Sequence, residues 1–242
     1  MEKIVGIIPV RYASTRLPGK PLVKICGTEL VVHVYNMAKM VKELSEVYVA
    51  TDDERIEKMC TDKGIPTIMT SSNCASGTDR ICEAIKKIEA DYVINIQGDE
   101  PLFEPENISK LIEYHKHNVG VEVINVMTEI HNPNEIIDTS VVKVAFSENN
   151  DLLYLSRSVI PGCKTSEKTN YYKHCGIYGL TKEALNFFES KNKGRIEQCE
   201  DIEMFRFLEN GKNIKIIAIN TSSVGVDTPK DVLKVEEIMK KR

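Results

Sequence analysis

The chain has 242 residues, of which 42% are hydrophobic and 28% charged, and its formal net charge at pH 7 is −4. This balance excludes an intrinsically disordered chain and leaves enough apolar residues for one sizeable core. Basic residues are scattered apart from a lysine-rich C-terminal end, so the composition does not favour a nucleic-acid partner.

The first hundred residues alternate short β-branched runs with longer runs of helical spacing. This alternation is typical of parallel strands joined by crossover helices. Strands are predicted at 4–9, 46–51, 66–69 and 92–96, and helices at 30–42, 54–63 and 78–88. The pattern therefore predicts an α/β fold with an open, mostly parallel, Rossmann-like sheet and helices on both faces.

The spacing changes after Pro101, where strands predicted at 121–127, 141–146 and 152–155 follow one another with short connections. This change indicates a mixed or antiparallel extension of the sheet. The polar stretch 162–170 predicts an exposed loop or arm, because it has almost no apolar residue to bury. A helix at 197–209, a strand at 214–219 and a closing helix from Pro229 complete a single predicted domain.

The seven cysteines are odd in number and irregularly spaced, with no C-x-x-C and no paired Cys and His pattern. Such spacing predicts free thiols rather than disulfides or a zinc site. Apolar runs stay well short of the ~20 residues needed to cross a bilayer, and the sequence passes from Met1 directly into a short predicted strand. We therefore expect a cytoplasmic protein without a role at a membrane.

The loop after the first predicted strand carries three cations within ten residues. Arg11, Arg16 and Lys20 stand in a frame of Ser, Thr, Pro and Gly that includes Ser14. Ligands of open α/β sheets bind outside the carboxyl ends of the strands, which is where this loop begins. Arg suits forked contacts with phosphate oxygens, and Lys supplies a mobile charge for a leaving pyrophosphate, so the loop predicts a triphosphate site.

Three alternatives compete with this interpretation. Each cation alone would more often be a solvated surface charge, but three in one such frame favour a binding site. Lys20 is followed by Pro21 instead of Ser or Thr and the earlier glycine is missing, so the loop is not a Walker A motif. No G-x-G-x-x-G occurs either, which disfavours a Rossmann dehydrogenase.

Six motifs follow this loop in chain order. They are VATDD at 49–53, SGTDR at 76–80, NIQGDEP at 95–101, SR at 156–157, HCGIY at 174–178 and GVDTP at 225–229. With the opening IPVRYASTRLPGKPL they resemble the CMP-Kdo synthetases (3-deoxy-manno-octulosonate cytidylyltransferases), within the nucleotide-sugar pyrophosphorylase-like transferases. Only Val10 departs from the family's opening. Sialic-acid cytidylyltransferases open with a distinct loop, so the resemblance favours the Kdo branch.

The resemblance implies an enzyme that transfers CMP from CTP to Kdo in the cytoplasm, for the biosynthesis of surface polysaccharide such as lipopolysaccharide. It implies a nucleotide-binding half at 1–120 and a sugar-binding half at 121–242, in which 121–172 contributes to a homodimer. The implied nucleotide-binding residues are Arg11, Ser14, Arg16, Lys20, Ser76, Asp79 and Arg80. We therefore expect CTP and an acidic sugar as partners.

Two aspartates are candidate ligands for Mg²⁺. Asp99 and Asp227 each follow a predicted strand and can project from the same side of the sheet. Magnesium is usually held by one or two carboxylates together with substrate phosphates. The alternatives are a turn residue for Asp99 and an N-cap for Asp227, since Asp-Thr-Pro is typical of a helix start. The resemblance implies that both bind Mg²⁺.

The predicted mechanism is in-line attack of the sugar's anomeric hydroxyl on the α-phosphate of CTP, without a covalent enzyme intermediate. Positioning two anions and neutralising the phosphates is the main work of such a transfer. The predicted catalytic residues are Arg11, Arg16, Lys20 and Asp99. Metal bound at the aspartates would also lower the pKa of the attacking hydroxyl, which makes a separate base unnecessary.

The resemblance weakens on the acceptor side. The implied sugar-binding residues are Gln97, Arg157, His174, Tyr178, Glu200 and Glu203. The family has His in place of Cys74 and an amide in place of Met204. It has Asn-Pro-Asn where this chain has Asp138 and the two residues after it. If Met204 faced the sugar, a hydroxyl or ring substituent would be read differently. Kdo, an amino-substituted Kdo and a sialate-like nonulosonate therefore all stay open, as does a non-catalytic nucleotide-binding protein.

Overall fold

The computed structural model describes residues 2–164, 169–220 and 224–241. In the predicted polar arm 162–170, residues 165–168 lie outside the described residues, and the remaining five are exposed as expected. Within the described ranges, no helix combines the length and apolar character that crossing a membrane would require. None of the seven cysteines forms a disulfide, which agrees with the prediction of free thiols.

The first half of the chain alternates strands and helices. Its elements are β1 (Ile4–Pro9), β2 (Lys24–Ile25), β3 (Thr28–Glu29), α1 (Leu30–Ala38), β4 (Glu46–Thr51), α2 (Glu54–Asp62), β5 (Thr67–Met69), α3 (Gly77–Ala84) and β6 (Tyr92–Ile96). Three of the four predicted strands have the expected bounds. The helices end earlier than predicted, and α3 passes into a 3₁₀ turn at Ile85–Lys87.

The second half contains more elements than the sequence predicted. They are α4 (Pro105–His117), β7 (Val123–Glu129), α5 (Pro133–Ile137), β8 (Lys143–Phe146), β9 (Leu152–Ser156), β10 (Tyr172–Thr181), α6 (Lys182–Glu189), α7 (Arg195–Glu200), α8 (Phe205–Leu208), β11 (Lys215–Ala218) and α9 (Pro229–Met239). The helix predicted at 197–209 is wrong, because Asp201 with φ of 52° interrupts it and leaves two short helices.

A nine-stranded sheet forms the centre of the described fold, with the order β11-β7-β10-β6-β1-β4-β5 and with β8 and β9 branching from β10. The pairs of β1 with β4 and β6, of β4 with β5, and of β7 with β11 are parallel. Strand β10 runs antiparallel to β6, β7 and β8. The mostly parallel sheet and its antiparallel extension are both confirmed.

The core lies on both faces of this sheet. Ile4 and Ile8 of β1 belong to one buried cluster, whereas Val5 and Ile7 belong to the other, as the twofold alternation of a strand requires. Helices therefore have to cover both faces, which confirms the predicted layering. The loops that follow the carboxyl ends of β1 and β6 then meet at one edge of the sheet.

Candidate active site

The loop after β1 folds back on itself. Val10 N–H donates to Ala50 O at 2.9 Å, Gly19 N–H to Tyr12 O at 3.1 Å, and Lys20 N–H to Leu17 O at 3.0 Å. Gly19 has φ of 68°, a left-handed conformation that suits glycine. These bonds close the loop and direct the Lys20 side chain towards the carboxyl edge of the sheet.

Gly98 lets the first loop approach the end of β6. A Cβ atom added at Gly98 would lie 2.3 Å from Cγ1 of Val10, far inside van der Waals contact. Val10, the single departure from the family's opening, is buried against this glycine. The glycine of the Gln-Gly-Asp motif is therefore needed for the packing that brings Asp99 beside the loop.

The three loop cations line one cavity of about 580 Å³ at this edge. Arg11 and Arg16 are exposed, and Lys20 is half-buried. The cavity also contains Ser14, Ser76, Arg80, Gln97, Asp99 and Asp227. The structure thus gathers the three loop cations, a fourth cation, Arg80, and two aspartates around one space that is large enough for a nucleotide.

Lys20 lies between the two aspartates. Its Nζ donates to Asp99 Oδ2 at 2.7 Å and to Asp227 Oδ1 at 3.1 Å, and Arg16 Nη2 lies 3.1 Å from the same Asp227 oxygen. Burial works against the charge of Lys20, but Asp99 and then Asp227 outweigh it, so the pKa of Lys20 is raised. The structure therefore gives the two carboxylates one shared cation.

Asp227 does not cap the final helix. Thr228 is the N-cap of α9 and forms a capping box with Asp231, whose carboxylate also accepts from the Asp227 N–H at 3.1 Å. The Asp227 carboxylate is left to face the cavity. Val226 N–H donates to Asp99 O at 2.8 Å, so the two aspartate segments are joined by their backbones as well. The N-cap alternative for Asp227 is therefore wrong.

These two carboxylates fit the donor set of a Mg²⁺ ion. Both reach one ammonium group within hydrogen-bond distance, so a single hard cation can contact both. The described residues contain no group of three or more His, Cys, Asp or Glu side chains suited to a metal. Two carboxylates are nevertheless a usual protein contribution when substrate phosphates and water complete the shell.

The Ser-Gly-Thr-Asp-Arg motif starts α3 at the border of the cavity. Ser76 caps the helix by accepting from Asp79 N–H at 3.1 Å, and it lines the cavity together with Arg80. Asp79 is not among the lining residues, because its carboxylate accepts from Ser76 Oγ at 2.8 Å and from Arg206 Nη1 at 2.7 Å. A direct nucleotide contact of Asp79 remains a prediction, and its observed contacts hold α3 in place.

A second cavity of about 360 Å³ adjoins the first. Ala75, Ser76, Gly77 and Gln97 line both cavities. Of the predicted sugar-binding residues, the second cavity contains Gln97, Arg157, His174, Tyr178 and Glu203. The structure therefore brings five of these six residues together, directly beside the cavity of the three cations.

Glu200, the sixth, supports the cavity from behind. Its carboxylate accepts from Ser156 Oγ at 2.9 Å and from Arg157 N–H at 3.0 Å, and its carbonyl accepts from Arg157 Nε at 2.8 Å. Glu200 is absent from the lining of both cavities. The described contacts therefore hold Arg157 in place, and a direct sugar contact of Glu200 stays a prediction.

The second cavity contains one group that is neutral at physiological pH and one carboxyl with an altered pKa. Burial, and then the neighbouring Arg157 charge, lowers the pKa of His174 to about 4. Burial raises the pKa of Glu203, although its Oε2 accepts from Thr78 N–H at 3.1 Å. His174 can therefore offer a neutral ring to a ligand, with a tilted contact to the Tyr178 ring at 5.6 Å.

The three departures from the family occupy different surroundings. Cys74 lines the first cavity, and burial raises the pKa of its thiol to about 11. Met204 is fully buried in the core and lines neither cavity, so it does not face the predicted sugar-binding residues of the second cavity. Asp138 is exposed and accepts from Ser140 N–H at 2.8 Å.

Sequence reasoning missed three charged residues of the second cavity, Lys193, Glu197 and Asp201. None of them belongs to a motif, and only the fold of the segment around α7 brings them there. It also missed Arg206, whose guanidinium is buried and pairs with Asp79 and Glu197. An arginine inside the apolar run Phe205–Leu208 was the available signal, because a buried cation requires partners.

Comparison with known proteins finds relatives along nearly the whole chain. The family model described as Cytidylyltransferase matches residues 5–214. An 8-amino-3,8-dideoxy-manno-octulosonate cytidylyltransferase of Shewanella baltica (strain OS185) is 42% identical over 235 residues, 96% of each chain. A 3-deoxy-manno-octulosonate cytidylyltransferase of Escherichia coli is 39% identical over 239 residues, 99% of this chain and 97% of the relative. The solved CMP:2-keto-3-deoxy-manno-octonic acid synthetase complexed with CTP matches with a TM-score of 0.95 at 39% identity, over 99% of both chains.

Proposed function

Because the chain belongs to the cytidylyltransferase family and is of the Kdo or 8-amino-Kdo type, we propose that it converts CTP and Kdo to CMP-Kdo and pyrophosphate. One observation carries this proposal. A cavity with four cationic side chains, three of them on the loop after β1, adjoins a cavity with Arg157, and the two share a wall that includes Gln97. Such a pair of cavities suits a triphosphate beside an acidic sugar.

The residues of the first cavity act on the nucleotide mainly through their charges. In the proposal, Arg11, Arg16 and Lys20 neutralise the triphosphate and hold the α-phosphate in line with the attacking hydroxyl. Ser76 and Arg80 contact the nucleoside end, beside the first turn of α3. Asp99 and Asp227 raise the pKa of Lys20 and keep it charged before the nucleotide binds, and phosphate oxygens would take over that pairing.

We further propose that Asp99 and Asp227 hold Mg²⁺. Their fit rests on the shared cation described above, and a bound magnesium ion would supply neutralisation of the phosphates and acidify the sugar hydroxyl. Lys20 competes for the same carboxylates in the described state. Metal binding is therefore expected to free this lysine for the nucleotide.

On the acceptor side, Arg157 is proposed to bind the carboxylate of the sugar. Neutral His174 and Gln97 can donate or accept hydrogen bonds with hydroxyl groups. His174 adds no positive charge near neutral pH, so the carboxylate is drawn to the cations of this cavity, Arg157 and Lys193. This arrangement orients the sugar with its carboxylate at one fixed end.

A pyrophosphate-release assay tests the proposal. Purified protein is given CTP, Mg²⁺ and, in turn, Kdo, 8-amino-3,8-dideoxy-manno-octulosonate or a nonulosonate, with Asp99→Asn as the inactive control. We expect CTP-dependent release with Kdo that is lost in the control. Turnover with a nonulosonate alone would overturn the Kdo assignment, and CTP binding without release for every acid would favour a non-catalytic protein.

The amino sugar is the second candidate acceptor. Relatives with this activity in their names reach 42% identity, and the second cavity contains the carboxylates of Asp201 and Glu203, which suit an ammonium group. The ratio of kcat/KM for the two octulosonates separates the candidates. A ratio of tenfold or more in favour of the amino sugar would replace Kdo as the assigned acceptor.

We also propose a homodimer in the cytoplasm that supplies activated sugar for surface polysaccharide. The dimer proposal is supported by exposed apolar side chains in the segment 121–172, among them Ile137, Leu153 and Val159. On its other edge β9 is bonded at its start, where Leu152 N–H donates to Ile214 O at 2.9 Å, and beyond Leu152 it pairs only with β8 in the described sheet, which leaves room for a partner. The cellular role rests on the family resemblance alone.

A further inference from the structure

Lys143 is a fully buried lysine at the start of β8 that the proposed reaction does not use. Its Nζ donates to three backbone carbonyls, those of Asp138 at 2.7 Å, Val141 at 2.6 Å and Arg157 at 2.6 Å. An ammonium group has three donors, so all of them are used. Burying an ammonium group costs free energy of desolvation even when carbonyl groups bind it, so a role for Lys143 is expected.

Two of the carbonyl groups bound by Lys143 lie on either side of Thr139, whose carbonyl supports the Arg157 guanidinium. Arg157 Nη1 donates to Thr139 O at 3.3 Å, and Thr139 lies between the Asp138 and Val141 carbonyls that Lys143 holds. Lys143 also binds the carbonyl of Arg157 itself. The ammonium group therefore joins the 138–141 turn to the residue whose guanidinium that turn supports.

The 138–141 turn is one of the places where the chain departs from its family. Asp138 Oδ1 accepts from Ser140 N–H at 2.8 Å and from Ser140 Oγ at 2.7 Å, which closes the turn from its exposed side. Lys143 closes it from the buried side. The turn is thus fixed at two points although it lacks the proline that the resemblance would place there.

We propose that Lys143 is a positioning residue for the acceptor, which acts by holding the 138–141 turn and the Arg157 backbone so that the guanidinium faces the second cavity. The proposal rests on the proposed function, because it assumes that Arg157 binds the sugar. Lys143 lines neither cavity and so acts through Arg157. Burial lowers the pKa of Lys143, and the three carbonyl groups oppose this effect by accepting hydrogen bonds from the charged ammonium.

The test separates the two substrates. Lys143→Met keeps the length of the side chain but removes all three donors. We expect its KM for the sugar acid to rise about tenfold or more, as expected for lost charged hydrogen bonds. Its KM for CTP and its CTP affinity by calorimetry should stay within about twofold of the wild type, because the first cavity is untouched.

Lys173→Met is the matched control, since Lys173 lies opposite Lys143 in the β8–β10 pair but binds Glu135. If Lys143→Met does not fold, Asp138→Ala and Ser140→Ala take its place, because they remove the contacts that close the same turn from its exposed side. They too should raise the KM for the sugar acid and leave the KM for CTP unchanged. An unchanged sugar KM in the folded variants, an equal rise of both KM values, or the same rise in Lys173→Met would overturn the inference. Absence of turnover by the wild type with every acid would instead overturn the proposed function.

Discussion

At the scale of single residues, the site depends on charges that are balanced against each other. Lys20 is half-buried, and its ammonium is stabilised by Asp99 and Asp227. The same contact keeps two carboxylates close together without strong mutual repulsion. Removal of the ammonium leaves two adjacent anions, which is the arrangement that most favours a divalent cation.

The first prediction concerns metal binding without nucleotide. In Lys20→Met, millimolar Mg²⁺ should raise the melting temperature by about 3 °C, more than in the wild type, because the competing ammonium is gone. Differential scanning fluorimetry measures this shift. The double variant Lys20→Met with Asp227→Asn should lose it, and no magnesium-dependent shift in Lys20→Met would contradict the metal site.

The second prediction concerns His174 and acid stability. Its pKa is about 4 in the folded protein, below the ordinary value of 6.5, because of burial and the Arg157 charge. Between these two pH values His174 is protonated in the unfolded chain but not in the folded protein. The free energy of unfolding therefore decreases as pH falls from 6.5 towards 4. Urea unfolding at several pH values should show His174→Gln losing less stability over this window, by on the order of 2 kcal/mol. Parallel pH curves would show that the pKa of His174 is the same in the folded and the unfolded chain.

At the scale of elements, an ion network joins α3 to the segment that contains α7 and α8. Arg206 Nη2 lies 2.6 Å from Glu197 Oε1, Nη1 lies 2.7 Å from Asp79 Oδ1, and the guanidinium stacks over the Phe188 ring at 3.8 Å. Asp79 in turn bonds to Ser76, which caps α3 at the border of both cavities. The network therefore holds the wall that the two cavities share.

The third prediction follows from this network. Arg206→Met should lower the free energy of unfolding by about 3 kcal/mol, because it leaves Glu197 and Asp79 without their cation. Urea denaturation provides the measurement. The control is Arg195→Met, on the exposed side of α7, which should change stability by less than about 0.5 kcal/mol. Equal effects of the two substitutions would show that the buried network contributes nothing special.

The sequence predicted the elements of the sheet where periodicity was strong. The strands β1, β4 and β6 are apolar runs bounded by polar residues, and their bounds were predicted correctly. The sequence did not predict strand β10, because Gly176 and Gly179 interrupt it. Its residues are buried or half-buried on both faces, so apolar and polar side chains do not alternate along it. The motif within β10 was nevertheless visible, so its residues were predicted without the strand that positions them.

At the scale of the whole molecule, topology brings together what the sequence separates. Lys20 and Asp227 are 207 residues apart and bond across the carboxyl edge of the sheet. Lys143 Nζ binds the Arg157 carbonyl because β8 and β9 form an antiparallel pair, and no sequence motif predicts this pairing. Motifs could thus identify the candidate residues of the site, whereas the residues that support them follow only from the three-dimensional fold.

The antiparallel extension also leaves an apolar edge, and the last prediction concerns its partner. In β9, Leu153 is 60% exposed and Tyr154 is 37% exposed, and beyond Leu152 the described strand pairs only with β8, so this part of it is an open edge. Such an edge is normally covered or charged, so we expect a second copy of the chain to cover it. Leu153→Asp should weaken the dimer by about a hundredfold in sedimentation velocity, since it buries a charge at the contact. Leu233→Asp, at a similarly exposed leucine on α9, should leave the dimer unchanged. A wild-type protein that stays monomeric at micromolar concentrations, or an equal effect of both substitutions, would remove β9 from the interface.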